Sequence, residues 1–228
     1  MKKILALLAI FSIVWLSAQN TFVKDNYTKK EVYITMRDGV KLFTSIYIPK
    51  DISSQNKYPF LMQRTCYSVA PYGEDQYKRS LGPNKFLQND KYIFVYQDVR
   101  GRYMSEGTFT NMTPQVDHKT KKDVDESTDT YDTIDWLIKN IENNNGNVGQ
   151  YGTSYPGFYA AVGALANHPA LKASSPQAPI SDFWFDDFHH NGAFMMGYFR
   201  TFPVFGVQKS KPENSAWYTE QSKKLGAK

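Results

Sequence analysis

A chain of 228 residues with 41% hydrophobic side chains is long enough to bury one sizeable core. Its 27 basic and 22 acidic residues leave a net charge of +5 mixed along the chain, which excludes the concentrated basic face of a nucleic-acid binder. Cys66 is the single cysteine, so an intrachain disulfide is excluded and stability must come from packing.

The first residues read Met1-Lys2-Lys3, then an apolar run to Leu16, then Ser17-Ala18-Gln19. That order of charge, apolar core and small residues predicts a secretory signal peptide over residues 1–18, cleaved after Ala18. Loss of Lys2 and Lys3 leaves 25 basic against 22 acidic residues, or +3. The apolar run is too short to span a bilayer comfortably, so the expected product is exported, secreted or periplasmic, without a membrane anchor.

Two β-rich runs, residues 32–35 and 41–47, flank Arg37-Asp38-Gly39, a hairpin signal. Residues 59–63 and 92–96 are apolar runs of strand length, as in strands covered on both faces. Residues 113–129 are polar and charge-dense and are expected to form a solvated loop entering a helix. Tyr131, Ile134, Leu137 and Ile138 recur at helical spacing, and Asn143-Asn144-Asn145-Gly146 reads as the stop. A short strand over 147–151, a helix over 158–167 and a strand over 171–174 follow. The aromatic and acidic segment 181–205 shows no clear strand alternation. From residue 92 to 175 strands and helices alternate, so the expected fold class is α/β, a mostly parallel sheet with helices on both faces.

Gly152-Thr153-Ser154-Tyr155-Pro156-Gly157 falls between the strand at 147–151 and the helix after it. A serine presented on a sharp strand-to-helix turn needs small neighbours because the backbones pass close, and Gly152 meets that need. The familiar pattern is G-x-S-x-G, whereas here the second glycine comes three residues after Ser154. The same residues also suit a loop capping an ordinary helix, with Ser154 as N-cap and Pro156 in the first turn.

Four stretches together resemble one serine hydrolase family, the cocaine-esterase-like group that includes α-amino-acid ester hydrolases, glutaryl acylases and Xaa-Pro dipeptidyl-peptidases. They are Arg64-Thr65-Cys66-Tyr67, then Gln97-Asp98-Val99-Arg100-Gly101-Arg102 with Ser105-Glu106-Gly107, then Asp132-Thr133-Ile134-Asp135-Trp136-Leu137, and finally the Ser154 turn with Asn167-His168-Pro169-Ala170-Leu171-Lys172. Residues 186–194 look most similar to the α-amino-acid ester hydrolases. Cys66 stands where those enzymes usually carry proline, and Pro156 where they carry an acidic residue.

The resemblance implies an α/β-hydrolase fold that stops after the sixth strand and the start of a cap, with residues 19–228 as its N-terminal part. It implies that Ser154 is the nucleophile, that the backbone N–H of Tyr155 and the hydroxyl of Tyr67 receive the oxyanion, and that Asp187 receives a substrate's α-ammonium group. The fold's acid and histidine follow the nucleophile on later loops. With 74 residues after Ser154, they are expected beyond residue 228. His118, His168, His189 and His190 are the histidines present; the last two are the candidates for an improvised base. Asp98 and Arg100 are expected to form a structural ion pair.

The expected reaction is hydrolysis of α-amino-acid esters or amides through an acyl-enzyme on Ser154. The alternatives are an Xaa-Pro dipeptidyl-peptidase or carboxylesterase of the same family, or a non-catalytic binding protein or remnant. A small molecule or short peptide is the expected partner, and a homo-oligomer stays open. No cofactor or metal is called for, because His189 and His190 beside Asp186 and Asp187 are adjacent side chains that seldom converge on one ion.

Overall fold

A computed structural model describes residues 21–117, 120–201 and 205–225; the signal-peptide reading and His118 lie outside them. Six strands form one sheet, β1 (Tyr27–Thr35), β2 (Lys41–Pro49), β3 (Tyr58–Thr65), β4 (Ile93–Asp98), β5 (Asn144–Thr153) and β6 (Leu171–Gln177), in the order β1-β2-β4-β3-β5-β6. The first two pair antiparallel through the predicted turn, and β2 joins β4 antiparallel. The β4-β3-β5-β6 block is parallel throughout. The predicted α/β class is what the chain adopts.

Alternation along the strands sorts the core into two faces. Phe60, Met62, Val95 and Val148 point to one side, where Ile134 and Leu137 of the long helix α3 (Glu126–Asn140) cover them. Leu61, Phe94 and Tyr96 point to the other and pack with Tyr27, Tyr47, Val69 and Leu81. That second face is covered by the 66–92 connection, which carries the short helix α2 (Lys85–Asn89), and by Val23 of α1 (Phe22–Asn26). All six residues of β4 are buried, which explains why the strand reads as a continuous apolar run.

Several boundaries moved for identifiable reasons. Helix α3 starts with a reciprocal cap: Thr128 N–H donates to Asp125 Oδ1 at 2.8 Å and Asp125 N–H donates to Thr128 Oγ1 at 2.8 Å. It stops at Asn140, and the Asn144 amide donates to the freed carbonyls of Ile138 and Ile141. That same asparagine opens β5, three residues earlier than predicted. The elbow helix α4 (Tyr155–Ala164) also begins three residues early, because Pro156 needs no N–H partner in a first turn.

The charges at the end of the 113–129 segment do more than keep it soluble. Asp125, Glu126 and Asp129 are buried; Glu126 pairs with Arg64 at 2.9 Å and Asp129 with Arg100 at 2.7 Å. The expected Asp98–Arg100 pair does not form. Arg100 instead bridges Asp129 and Asp38, while Asp98 turns inward and accepts from Val69 N–H, Tyr72 Oη and Met104 N–H.

The segment after β6 holds a π-helical turn (Trp184–Phe188), a two-strand hairpin of β7 (His189–His190) and β8 (Ala193–Phe194), and a 3-10 turn (Met196–Thr201). Asn191 and Gly192 sit at positive φ between β7 and β8, so the hairpin has the Asn-Gly turn that its sequence spells out. Helix α5 (Ser215–Lys224) follows, its first turn capped by Asn214, which accepts from the N–H groups of Ala216 and Trp217. Among the described residues no helix is long and apolar enough to cross a membrane.

Candidate active site

Ser154 is the single residue between the end of β5 and the start of α4. Its backbone lies at φ 63° and ψ −125°, a conformation that costs a serine free energy and turns the chain sharply. The surrounding bonds enforce it: Ser154 N–H donates to Gln177 O of β6 at 3.0 Å, and its carbonyl accepts from Phe158 N–H at 3.1 Å. The side chain makes no cap for the helix, and the residue is exposed. The ordinary N-cap reading of this serine therefore fails, and the turn presents its hydroxyl outward.

The two glycines answer to different neighbours. A Cβ on Gly152 would stand 2.1 Å from Pro156 O, where the chain folds back on itself across the elbow. One on Gly157 would stand 2.5 Å from Gln177 O of the adjacent strand. The departure from G-x-S-x-G thus has a physical basis, since the second tight approach is between α4 and the end of β6.

Tyr67 leaves the C-terminal end of β3, the strand beside β5, and the Ser154 side chain lies near enough to favour the charged form of its phenol. The residue keeps 42% of its surface exposed. Burial of the remainder pushes the phenol up to about 12, with the neighbouring Cys66 adding to the rise, so the hydroxyl stays protonated and able to donate at neutral pH. Its ring meets Tyr155 edge-on at 6.3 Å and Phe205 at 6.2 Å.

Tyr155 follows the serine as the first residue of α4, where an N–H has no partner within the helix. Its side chain is fully buried, and its hydroxyl donates to Asn111 Oδ1 at 3.0 Å and accepts from Met112 N–H at 2.8 Å. The ring stacks on Tyr159 at 5.1 Å and packs against Phe158, Phe183 and Phe205. This aromatic block packs beneath the elbow helix and fixes its first turn.

The acidic pair divides its work. Asp186 is bound up locally: its carboxylate accepts from Ser181 N–H, Ser181 Oγ and Asp182 N–H, which hold it below the usual carboxylate range. Asp187 is half-buried, and its charge reaches Tyr67, contributing to the upward shift of that phenol. Ser154, Tyr155 and Tyr67, named from sequence, are thus neighbours, and the charge of Asp187 is felt at Tyr67.

The histidines do not join them. Among the described residues none hydrogen-bonds to Ser154. His189 stacks on Trp184 at 3.7 Å with its Nδ1 buried and unpartnered, and His190 is exposed. His168 accepts from Ala170 N–H at 3.1 Å and is buried against Tyr131. Burial lowers its basicity. No group of three or more His, Cys, Asp or Glu side chains among the described residues is placed to hold a metal ion.

Sequence comparison places the chain among relatives of known kind. The model of the X-Pro dipeptidyl-peptidase (S15) family matches residues 38–224. Cocaine esterase from Rhodococcus is 32% identical over 165 residues, which cover 71% of this chain and 25% of the esterase. Among solved structures, an α-amino acid ester hydrolase is 39% identical with a TM-score of 0.69, and an aminopeptidase from a marine-sediment Thaumarchaeota archaeon is 39% identical with a TM-score of 0.71. Each covers 83% of this chain, which in turn spans 31% of either structure. The chain thus spans about a quarter to a third of the length of the relatives it matches. Matched from the β1–β2 turn to the last helix, with an α/β-hydrolase sheet and a strained serine at its elbow, this chain belongs to the X-Pro dipeptidyl-peptidase (S15) family and is by family a serine hydrolase.

Proposed function

We propose that this chain carries the nucleophile and the oxyanion donors of a hydrolase acting on esters or amides of α-amino acids. One observation carries the reading: Ser154 is exposed at a strained turn directly before the first N–H of a helix, and the ring of Tyr67 lies edge-on to the ring of Tyr155 that follows it. Ser154 Oγ attacks the substrate carbonyl carbon as its proton passes to a base outside the described residues. The carbonyl π-pair moves onto oxygen, and the Tyr67 hydroxyl and the Tyr155 N–H receive the charge. Collapse expels the alcohol or amine, which takes up the proton, and leaves an acyl-serine for water to hydrolyse. Each fixed donor of this kind contributes about 3 kcal/mol to the barrier reduction.

Asp187 supports the choice of an aminated substrate. A carboxylate close to the oxyanion site opposes catalysis unless a cation accompanies the substrate, and an α-ammonium group supplies that cation. An Xaa-Pro dipeptidyl-peptidase would use the same carboxylate for a peptide's N-terminus, and the family model favours keeping that reading as the second. Export to the periplasm or medium is proposed from the order of residues 1–18.

A fluorophosphonate probe tests the nucleophile in the full-length protein: labelling is expected at Ser154 and lost in Ser154→Ala. Equal labelling of that variant refutes the assignment. Asp187→Asn is expected to raise KM for an aminoacyl ester about tenfold and to leave acetyl esters unchanged. Equal losses on both substrates would remove Asp187 from ammonium recognition.

A further inference from the structure

The loop that carries Tyr67 is held on both sides by groups the proposed chemistry does not use. On the N-terminal side, Cys66 is fully buried and its carbonyl accepts from Arg102 Nε at 3.3 Å. Arg102 is itself fully buried, boxed in by the rings of Tyr218, Phe109 and Tyr103 at 4.6, 4.9 and 5.3 Å. Its Nη1 donates to Val207 O at 3.3 Å, and its Nη2 has no hydrogen-bond partner among the described residues.

On the C-terminal side, Ser68 lies at φ 89°, a region serine enters only under constraint. Its Oγ accepts from Ala70 N–H at 3.1 Å and shares hydrogen bonds with Tyr72 Oη and with Ser215 Oγ of α5, each at 2.9 Å. Tyr72 passes the restraint on to Asp98 Oδ2 at 3.0 Å, and Asp98 Oδ1 accepts from Val69 N–H at 3.0 Å. The Tyr67 N–H is tied to Thr65 Oγ1 at 3.0 Å.

Charge pairing does not account for the burial of Arg102. Its guanidinium is held by two long bonds to neutral carbonyls and by three ring faces, and no carboxylate among the described residues forms an ion pair with it. Ser68 is held in a left-handed backbone conformation by its own Oγ bonds to Ala70 N–H, Tyr72 and Ser215. Strain and an unneutralised buried cation on either side of one phenol suit a donor that must already point at the oxyanion site before substrate arrives. The positive charge also reaches the Tyr67 hydroxyl and favours negative charge beside it.

We propose that Arg102 and Ser68 are positioning residues that clamp the two sides of Tyr67 and preorganise its hydroxyl for the oxyanion of the acyl-transfer step. The inference rests on the reading of Tyr67 given above. Its test is a pair of double-mutant cycles in the full-length protein: Arg102→Lys and Ser68→Ala, each alone and combined with Tyr67→Phe, read as kcat and KM on one aminoacyl ester, with thermal unfolding recorded alongside. Each single clamp variant is expected to lower kcat on the order of tenfold with KM unchanged. In the Tyr67→Phe background those losses should shrink to about twofold or less, because the hydroxyl they orient is gone. Losses that persist undiminished in that background, or a kcat equal to wild type, overturn the clamp. If Tyr67→Phe alone leaves kcat unchanged, the oxyanion reading of Tyr67 fails and the clamp falls with it. Ser68→Ala, at a half-buried site, carries the test should Arg102→Lys not fold.

Discussion

At the scale of single residues, the elbow depends on atoms that are absent. Gly152 has a neighbouring carbonyl oxygen 2.1 Å from where a Cβ would stand, so Gly152→Ala must open the turn. The expected cost is at least about 2 kcal/mol of stability together with loss of probe labelling at Ser154, measured by urea unfolding and mass spectrometry. A labelled, equally stable variant would show that the turn is not strained as described. Ser154 and Gly152 were legible in sequence because their chemistry is local: a strand, a small residue, a serine and a helix follow one another within ten positions. Arg102 was quoted in the family signature without a role, since its contacts to Cys66 and Val207 span 36 and 105 positions.

At the scale of elements, the link between the hairpin, β3 and α3 is ionic. Arg64, on β3, donates to Glu126 O and Thr130 Oγ1 and pairs with the Glu126 carboxylate, while Arg100 spans Asp129 and Asp38. Desolvation raises the Glu126 carboxyl's pKa against the opposing effect of Arg64, so removing the cation leaves a buried acid beside Asp129 without its ion-pair partner. Arg64→Ala is expected to cost about 3–5 kcal/mol, read as a fall in urea midpoint, and Arg64→Met less, because it restores packing volume. Equal stability of the alanine variant would mean that the network contributes little. These pairs were misread in sequence as solvated charge because a burst of Lys, Asp and Glu looks the same whether or not a distant arginine comes down upon it. The β7–β8 hairpin was missed for a different reason: its strands are two residues long, too short for alternation to register, and Asn191-Gly192 was the one local signal.

At the scale of the whole molecule, Asp98 is the acid the fold encloses most completely. It is 0% exposed, and burial lifts its carboxyl from 3.8 to about 7 despite three donors that favour the anion. The folded state therefore prefers the protonated form over the unfolded chain. That contribution is full below about pH 4, where both states are protonated, and is lost as pH rises through about 7. The unfolding free energy of wild type minus that of Asp98→Asn should accordingly decline between pH 4 and pH 7 and level off above it. A flat difference across that range would show that the three donors offset the burial. Among the described residues β6 lies at one edge of the sheet, and most of its residues are exposed.

The amino-acid sequence by itself determined the fold class, the order of the strands along the chain, the serine elbow and, by resemblance, the family. These are written in short-range periodicity and in motifs whose parts lie close together. Tertiary structure alone decided that Asp186 is used up locally, that Arg64 and Arg100 come down on the acids of α3, and that Asp98 and Arg100 serve different partners. Such choices depend on which strands become neighbours and which charges lose their water, and neither is a property of any one stretch of chain.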